Sequence, residues 1–233
     1  MEIRRETIGR ERAPLLVIDD FAEAADALVR QAVPKHFAVG GHFFPGIRAR
    51  APLTYQRFLI GKLRDLVLDF FELEADVLRL SMCHYSLVTT PPQQLMMEQR
   101  IPHTDSTGRD GLATIHYLFR GRHGGTAFYR HRKTGFEYID ESRKVGYLRV
   151  LEQEVRGPDA PRPGYINGDT PLFEQIANEE GAFNRLLVYR RNSLHSGSIG
   201  QDFVPDPNPL TGRLSINSFI DAAPRNRHSG VVR

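Results

Sequence analysis

The sequence predicts a mainly β protein, a double-sheet jelly roll (double-stranded β-helix, cupin-like) braced by N-terminal helices. Helical periodicity is concentrated in the first 76 residues, and short apolar runs separated by glycine-rich turns follow from residue 77 onward. These runs do not alternate regularly with helices, so a parallel βαβ sheet is not expected. Two packed sheets behind a helical layer are the arrangement that buries so many short strands.

Residues 1–76 are expected to form an N-terminal strand and a helical support. Residues 14–18 are β-branched and apolar and predict the strand, whereas residues 21–33 carry apolar residues at helical spacing and stop before a proline. Residues 38–52 are rich in glycine, proline and aromatic residues and predict a loop. Residues 53–71 place apolar side chains on one stripe, which is typical of an amphipathic helix.

Residues 77–221 are expected to form the jelly-roll core of a single domain that spans residues 1–233. The strands are predicted at 78–88, 112–119, 126–129, 186–189 and 214–220, and 171–178 fits either a strand or a helical turn. Residues 140–154 have a helical pattern, and 140–168 as a whole is interpreted as an insertion. Such an insertion would form either a substrate lid or a surface for a partner.

The composition restricts the classes of function. Hydrophobic residues make up 40% and charged residues 25% of the chain, which is ordinary for a soluble globular protein. Cys83 is the only cysteine, so no intramolecular disulfide can form, and the start has no apolar signal region. We therefore expect a cytoplasmic protein. The net charge of +3 comes from scattered basic residues, so neither nucleic acid nor a membrane is an expected partner.

His103, Asp105 and His195 are the candidate metal ligands and catalytic residues. His103 and Asp105 form the only HxD motif of the chain, and residues i and i+2 of a strand project to the same side. His195 can arrive from a distant strand. Two imidazoles and one carboxylate on one face of an iron ion leave the opposite face open for a cosubstrate and O2.

Arg213 and Ser215 are the candidate cosubstrate-binding residues. Arg213 follows His195 by 18 residues, and on a returning strand its guanidinium can pair bidentately with a carboxylate. Ser215 shares that face and adds a hydroxyl donor. Zinc accepts the same three ligands, but a zinc hydrolase would leave Arg213 unexplained. With the metal ligands, these residues predict a non-haem Fe(II) oxygenase that uses a keto acid.

Two tyrosines and two asparagines are further candidates for this site. Tyr85 and Tyr117 lie on predicted strands that flank the HxD loop, where either phenol can donate a hydrogen bond to the cosubstrate. His116 points to the opposite side from Tyr117 on an ideal strand, so we do not expect it to be a ligand. Asn192 and Asn217 are polar residues close to the predicted site.

The order of these elements resembles the 2-oxoglutarate/Fe(II)-dependent dioxygenases of the prolyl 4-hydroxylase-like type. In that group a strand tyrosine precedes HxD, a tyrosine-leucine strand end and a Gly-Gly-x-Thr-x-Phe-like turn follow, and a distal histidine and an Arg-x-Ser strand come last. The corresponding positions, within residues 78–221, are Tyr85, His103, Asp105, Tyr117, Leu118, Gly124, Gly125, Thr126, Phe128, His195, Arg213 and Ser215.

The resemblance implies that the protein uses Fe(II), 2-oxoglutarate as cosubstrate and O2. The implied reaction converts 2-oxoglutarate to succinate and CO2 and hydroxylates a C–H bond of a small molecule or of a peptide or protein side chain. Related iron halogenases lack the carboxylate ligand and bind halide in its place. Because Asp105 is present, we predict hydroxylation rather than halogenation.

Two shorter segments show a narrower resemblance. Residues 125–131 and 183–189 are similar to an uncharacterised bacterial family whose members are found near tryptophan-halogenase-like genes. That resemblance does not identify a substrate. The oligomeric state is open as well, since unpaired β edges favour a homodimer only as a tendency.

Two alternatives belong to other functional classes. One is a non-catalytic jelly-roll binding protein, which would bind metal without binding 2-oxoglutarate. The other is a cupin-type metal-dependent hydrolase or isomerase, in which the metal would be needed but Arg213 would not. The dependence of 2-oxoglutarate binding on Arg213 therefore separates the oxygenase from both.

Overall fold

The computed structural model describes residues 1–41, 43–75 and 77–223. The strands are β1 (Glu2–Ile8), β2 (Ala13–Asp19), β3 (Ala38–Val39), β4 (Gly46–Arg50), β5 (Val77–Val88), β6 (Leu112–Tyr117), β7 (Gly125–His131), β8 (Phe173–Glu179), β9 (Leu186–Arg190), β10 (His195–Ser198) and β11 (Leu214–Ala223). The helices are α1 (Ala25–Ala32), α2 (Leu53–Phe70) and α3 (Glu141–Glu154).

The strands form two antiparallel sheets. The large sheet has eight strands in the order β1-β2-β9-β6-β11-β5-β4-β3, and the small sheet has three in the order β10-β7-β8. Neighbours in both sheets often lie far apart in the sequence, so the fold depends on long-range pairing. The predicted mainly β class with flanking helices is confirmed.

Alternating side chains give the large sheet two buried faces. Val17 of β2 clusters with Phe128 of the small sheet, whereas the adjacent Leu16 clusters with Leu59 of α2. Consecutive residues of a strand point to opposite sides, so one strand can contribute to both clusters. We call the side towards the small sheet the inner face and the side towards α1 and α2 the helix face.

The N-terminal region contributes more strands than the sequence predicts. The predicted loop at 38–52 contains β3 and β4, and β4 pairs with β5 along its whole length. A Cβ on Gly46 would lie 2.0 Å from the backbone oxygen of Leu87, so only glycine permits this close approach. Residues 1–76 therefore supply both edges of the large sheet.

Two further N-terminal boundaries differ from the prediction. The edge strand β1 was not predicted, because its residues are mostly polar and partly exposed and lack an apolar alternation. Helix α1 begins at Ala25, four residues later than the predicted start at residue 21. The helix predicted at 53–71 is confirmed as α2. Among the described residues, no helix has both the length and the apolarity required to cross a bilayer.

The helix predicted within the insertion is confirmed as α3. The side chain of Asp140 accepts a hydrogen bond from the backbone nitrogen of Arg143 at 3.0 Å, which caps the helix N-terminus. Tyr147 and Leu151 of α3 cluster with Tyr129 on the side of the small sheet that faces away from the large one. The helical part of the insertion thus braces the small sheet.

His116 lies on the helix face in a closed hydrogen-bond network. Its Nε2 lies 3.1 Å from Oδ1 of Asn184, and that oxygen also accepts from the backbone nitrogen of Ala22. Nε2 must therefore carry the proton, and Nδ1 accepts from the Tyr55 hydroxyl at 3.1 Å. His116 thus lies on the face opposite Tyr117, as strand alternation predicts.

Candidate metal centre

His103 and His195 face each other across a short antiparallel bridge. The backbone nitrogen of each donates to the backbone oxygen of the other, at 2.9 Å and 3.0 Å. Directly opposed residues of antiparallel strands point to the same side. Their imidazole rings accordingly lie with centroids 4.5 Å apart, which brings together two predicted ligands separated widely in sequence.

Asp105 completes the group. Its backbone nitrogen donates to the carbonyl oxygen of Arg191 at 2.8 Å, which holds the HxD segment against the chain after β9. Oδ1 lies 3.8 Å from Nε2 of His103, and Oδ2 lies 3.5 Å from Nε2 of His195. One ligand atom from each of the three residues lies within 4.8 Å of the others. The structure therefore brings all three predicted ligands to one point.

The ring of His195 is already oriented for metal binding. Its Nδ1 lies 2.9 Å from the carbonyl oxygen of Ser193, which can only accept, so Nδ1 carries the proton. Nε2 then presents its lone pair towards Asp105. A carbonyl that fixes the far nitrogen of a histidine is a common support for a metal ligand.

His103 is the ligand most accessible to solvent, with 50% of its side chain exposed, against 6% for His195. Desolvation by the surrounding protein lowers the pKa of His103. The charges of His195 and Arg48 lower this pKa further, whereas the charge of Asp105 raises it. A neutral imidazole is the form that coordinates a metal.

Arg213 lies immediately before β11 and is only 6% exposed. Its Nε donates to the carbonyl oxygen of His123 at 2.8 Å, and its Nη2 donates to that of Gly125 at 2.7 Å. Within the described ranges, no carboxylate lies within 4.0 Å of this guanidinium. Burial lowers the pKa of Arg213. A buried cation held by neutral carbonyls alone is costly, and an anionic ligand would offset that cost.

Gly197 lies between His195 and Arg213. It follows His195 by two residues on β10, so both positions project to the same side. A Cβ on Gly197 would lie 3.9 Å from Nη2 of Arg213. A side chain at this position would therefore contact the guanidinium, which glycine leaves uncovered on that side.

Tyr117 closes the space between the two sheets beside Arg213. Its hydroxyl lies 2.6 Å from Oγ1 of Thr126 on the small sheet, and the tyrosine is fully buried. Cζ of Arg213 lies 5.9 Å from the centre of the Tyr117 ring. The structure thus places Tyr117 next to Arg213.

Ser215 lies on the inner face, directly opposite Tyr117 of β6. Its hydroxyl donates to Oδ1 of Asn217 at 2.7 Å, so the two predicted polar residues contact each other. Oδ1 of Asn192 is buried without a hydrogen-bond partner in the described part of the chain. Ser215 can donate a hydrogen bond to a ligand beside Arg213 only if it gives up its hydrogen bond to Asn217.

Tyr85 is placed away from the site, and the expectation that it binds the cosubstrate is corrected. Its side chain lies on the helix face and its hydroxyl donates to the carbonyl oxygen of Leu28 at 2.8 Å. The physical reason is strand register: Ser86, not Tyr85, pairs with Ser215 on the inner face.

Tyr189 is a site residue that the sequence analysis did not identify. Its ring centre lies 4.7 Å from that of His195, and it is almost fully buried. Burial and the charge of Asp105 raise the pKa of its hydroxyl well above the ordinary value. Strand alternation places Tyr189 on the same side as Leu187 of the predicted strand. The sequence alone does not show that this side faces the metal ligands.

A cleft of about 630 Å3 includes Ile101, which is close to His103 in the sequence, but none of the metal ligands lines it. It is lined by residues 158–167 and 169–173, from the second half of the insertion to the start of β8, together with Arg100, Ile101 and Gln201. None of the three candidate ligands, nor Arg213, lines it. The cleft and the metal centre are therefore separate features.

Several solved structures share this fold at low sequence identity. HygX from Streptomyces hygroscopicus, with nickel and 2-oxoglutarate bound, matches with a TM-score of 0.53 at 14% identity, over 91% of this chain and 84% of that one. The α-ketoglutarate-dependent epimerase SnoN from nogalamycin biosynthesis matches with a TM-score of 0.50 at 10% identity, over 91% and 79%. The carbocyclase SnoK from the same biosynthesis also scores 0.50 at 10% identity, over 91% and 81%.

The sequence comparisons give a family but no function. No curated protein matches this chain significantly. The profile of a family of unknown function, DUF6445, matches residues 1–220, which is nearly the whole chain. The chain therefore belongs to this family of unknown function, DUF6445.

Proposed function

We propose that this protein is a 2-oxoglutarate- and O2-dependent non-haem Fe(II) oxygenase with a jelly-roll fold. The observation that carries the proposal is the convergence of His103, Asp105 and His195 beside a buried Arg213 that has no carboxylate partner among the described residues. We further propose that it hydroxylates a C–H bond of a small molecule or of a peptide or protein side chain.

The donor set fits Fe(II). Two imidazole nitrogens and one carboxylate oxygen approach one point, and three protein ligands on one side leave positions for a chelating keto acid and O2. When bound, iron supplies O2 activation coupled to the decarboxylation of 2-oxoglutarate to succinate and CO2. The protein holds the ligands in place through the backbone bridge between His103 and His195 and the carbonyl of Ser193 on Nδ1 of His195.

Arg213 binds the distal carboxylate of 2-oxoglutarate in this proposal. A charged guanidinium forms stronger hydrogen bonds to a carboxylate than to the neutral carbonyls it now contacts. Gly197 provides the space for the carbon chain of the cosubstrate between His195 and Arg213. Tyr117, fixed to Thr126, excludes water from the end of this space.

The solved neighbours support the general kind of enzyme. HygX holds 2-oxoglutarate in one structure and hygromycin B in another, and SnoN holds nogalamycin RO, so these enzymes bind small molecules. SnoN is an epimerase and SnoK a carbocyclase, so the neighbours do not favour a single reaction. Hydroxylation is proposed from the resemblance stated above and from the presence of Asp105.

Several expectations remain predictions within this proposal. They are the prolyl 4-hydroxylase-like subtype, the relation to proteins found near halogenase-like genes, the single domain over 1–233, the cytoplasmic location, the possible homodimer and the absence of nucleic acid and membrane partners. Ser215 is proposed as a second donor to the cosubstrate carboxylate once it leaves Asn217.

The proposal is tested by calorimetric titration of 2-oxoglutarate into nickel-loaded protein, since nickel keeps the complex from reacting with O2. We expect Arg213→Gln to weaken 2-oxoglutarate binding about tenfold or more, because a charge-assisted contact is lost, with metal content unchanged. Metal-loaded protein that binds no 2-oxoglutarate would favour a binding protein. Metal-dependent 2-oxoglutarate binding with the same affinity in the wild type and Arg213→Gln would favour the cupin-type alternative.

A further inference from the structure

We propose that Arg48, His84 and Ser86 form a subsite that binds a carboxylate group of the primary substrate. We call these three residues the β4–β5 patch. The inference rests on the proposed function and deepens it, because it assigns a substrate class to the same site. It concerns the primary substrate and not 2-oxoglutarate.

The β4–β5 patch lies on the inner face of the large sheet. Arg48 of β4 pairs with Ser86 of β5, Ser86 pairs with Ser215 of β11, and Ser215 pairs with Tyr117 of β6. Directly opposed residues of antiparallel strands project to the same side. Arg48 and Ser86 therefore belong to the same row of side chains as two residues of the proposed cosubstrate site.

Three polar atoms of the patch lack partners. Nε of Arg48, Nδ1 of His84 and Oγ of Ser86 are each buried without a hydrogen bond in the described part of the chain. The Nη1 of Arg48 contacts only the sulfur of Met82, at 3.8 Å, which is a weak acceptor. Buried polar atoms are rarely left unsatisfied, and three on two paired strands indicate a place for a ligand that accepts hydrogen bonds.

The charge of the patch matches a single negative group. Within residues 1–41, 43–75 and 77–223, no carboxylate lies within 4.0 Å of Arg48, and the guanidinium is held 4.0 Å above the ring of Phe44. Burial and the charges of Arg48 and Arg50 lower the pKa of His84, so His84 is neutral near pH 7. One cation, one imidazole and one hydroxyl suit a carboxylate better than a doubly charged phosphate.

The patch is distinct from Arg213. β4 is separated from β11 by β5, which places it about 10 Å from the strand of Ser215. Two arginines thus offer two separate carboxylate sites, one for each substrate.

The test is equilibrium dialysis of radiolabelled benzoate against the full chain loaded with zinc and saturating 2-oxoglutarate. Zinc keeps the complex inert to O2, and 2-oxoglutarate fills the Arg213 site, so benzoate reports a second anion site. We expect saturable benzoate binding in the wild type and a benzoate affinity that is lower by about tenfold or more in Arg48→Gln. Neutral benzamide should show no comparable binding.

Matched variants make the result specific. Arg57→Gln removes an exposed arginine of α2, on the helix side of the large sheet, and should change benzoate affinity less than about twofold, since exposed charges are screened. Arg48→Lys keeps the charge without the planar fork and should give an intermediate affinity. Ser86→Ala removes one hydroxyl and should weaken binding by a smaller factor, which keeps the test decisive if Arg48→Gln does not fold.

Equal benzoate affinity in the wild type and Arg48→Gln, equal binding of benzoate and benzamide, or no saturable benzoate binding would overturn the subsite. Failure of the proposed function has a different signature, because 2-oxoglutarate itself would not bind the metal-loaded protein. In that case benzoate binding is measured in the Arg213→Gln background, where the Arg213 site can no longer bind the probe. Loss of the remaining benzoate binding on Arg48→Gln then still supports the subsite.

Discussion

Gly197 and Arg213 meet across the two sheets, and a Cβ on Gly197 would lie 3.9 Å from Nη2 of Arg213. Gly197 also shares one side of β10 with His195. A side chain at position 197 would therefore lie on the side of Arg213 that faces His195. If 2-oxoglutarate bridges the two, this glycine is as necessary to the site as the charged residues.

Gly197→Leu should block 2-oxoglutarate while leaving the metal ligands in place. The isobutyl group would occupy the space beside Arg213, and we expect the affinity for 2-oxoglutarate to fall about tenfold or more, as for any ligand displaced from a packed site. Gly197→Ala is the control, because its Cβ would lie 3.5 Å from Cδ1 of Ile199, an ordinary contact. Calorimetry on metal-loaded protein measures both, and equal affinities in the two variants would contradict the assignment.

Replacing a metal ligand should abolish tight metal binding without unfolding the protein. His195→Ala removes one of three donors, and we expect metal affinity to fall by about a hundredfold or more. His36→Ala, at an exposed position, is the matched control and should bind metal like the wild type. Metal content after dialysis decides the matter, and iron retained equally by His195→Ala would show that the ligands are wrongly assigned.

The hydrogen bond between Tyr117 and Thr126 should stabilise the contact of the two sheets. Tyr117→Phe leaves the Thr126 hydroxyl buried without this partner, and we expect it to lower the free energy of unfolding by about 1–3 kcal/mol. Urea unfolding of Tyr117→Phe, Thr126→Val and the double variant measures the coupling. The double variant should be less destabilised than the sum of the single changes, and strict additivity would argue against the bond.

His116 should make the stability fall in mild acid. Burial lowers the pKa of His116 to about 4, against its ordinary 6.5, so the unfolded chain binds more protons between these values. The stability due to neutral His116 is therefore present above pH 6.5 and is lost as the pH falls towards 4, by about 3 kcal/mol at most. Thermal unfolding of the wild type and His116→Gln between pH 4 and 7 should show a shallower slope in the variant.

The buried amphipathic elements were predictable and the edges were not. α2, β5 and β11 carry apolar periodicity because each packs against a core, so local sequence indicates them. β1 is a polar edge strand, and β4 follows a glycine-rich stretch and carries two arginines. Both exist because of pairing with distant strands, which a local pattern does not report.

The candidate site divides in the same way. His103, Asp105, His195 and Arg213 are identified by residue type and spacing, because the chemistry demands those types. The choice between Tyr85 and Ser86 required the register of β5 against β11. Gly197 and Arg48 contribute space and unsatisfied donors, which are visible only once the two sheets are packed together.

The most direct test of the central claim is anaerobic titration of the Fe(II)-loaded protein with 2-oxoglutarate, followed by visible absorption. Bidentate chelation of Fe(II) by a keto acid gives a weak metal-to-ligand charge-transfer band. We predict that the band appears in the wild type, is lost in Asp105→Ala and is weakened in Arg213→Gln. Protein that holds iron by metal analysis, yet gives no band at saturating 2-oxoglutarate, would contradict the assignment of this site as a 2-oxoglutarate-dependent oxygenase centre.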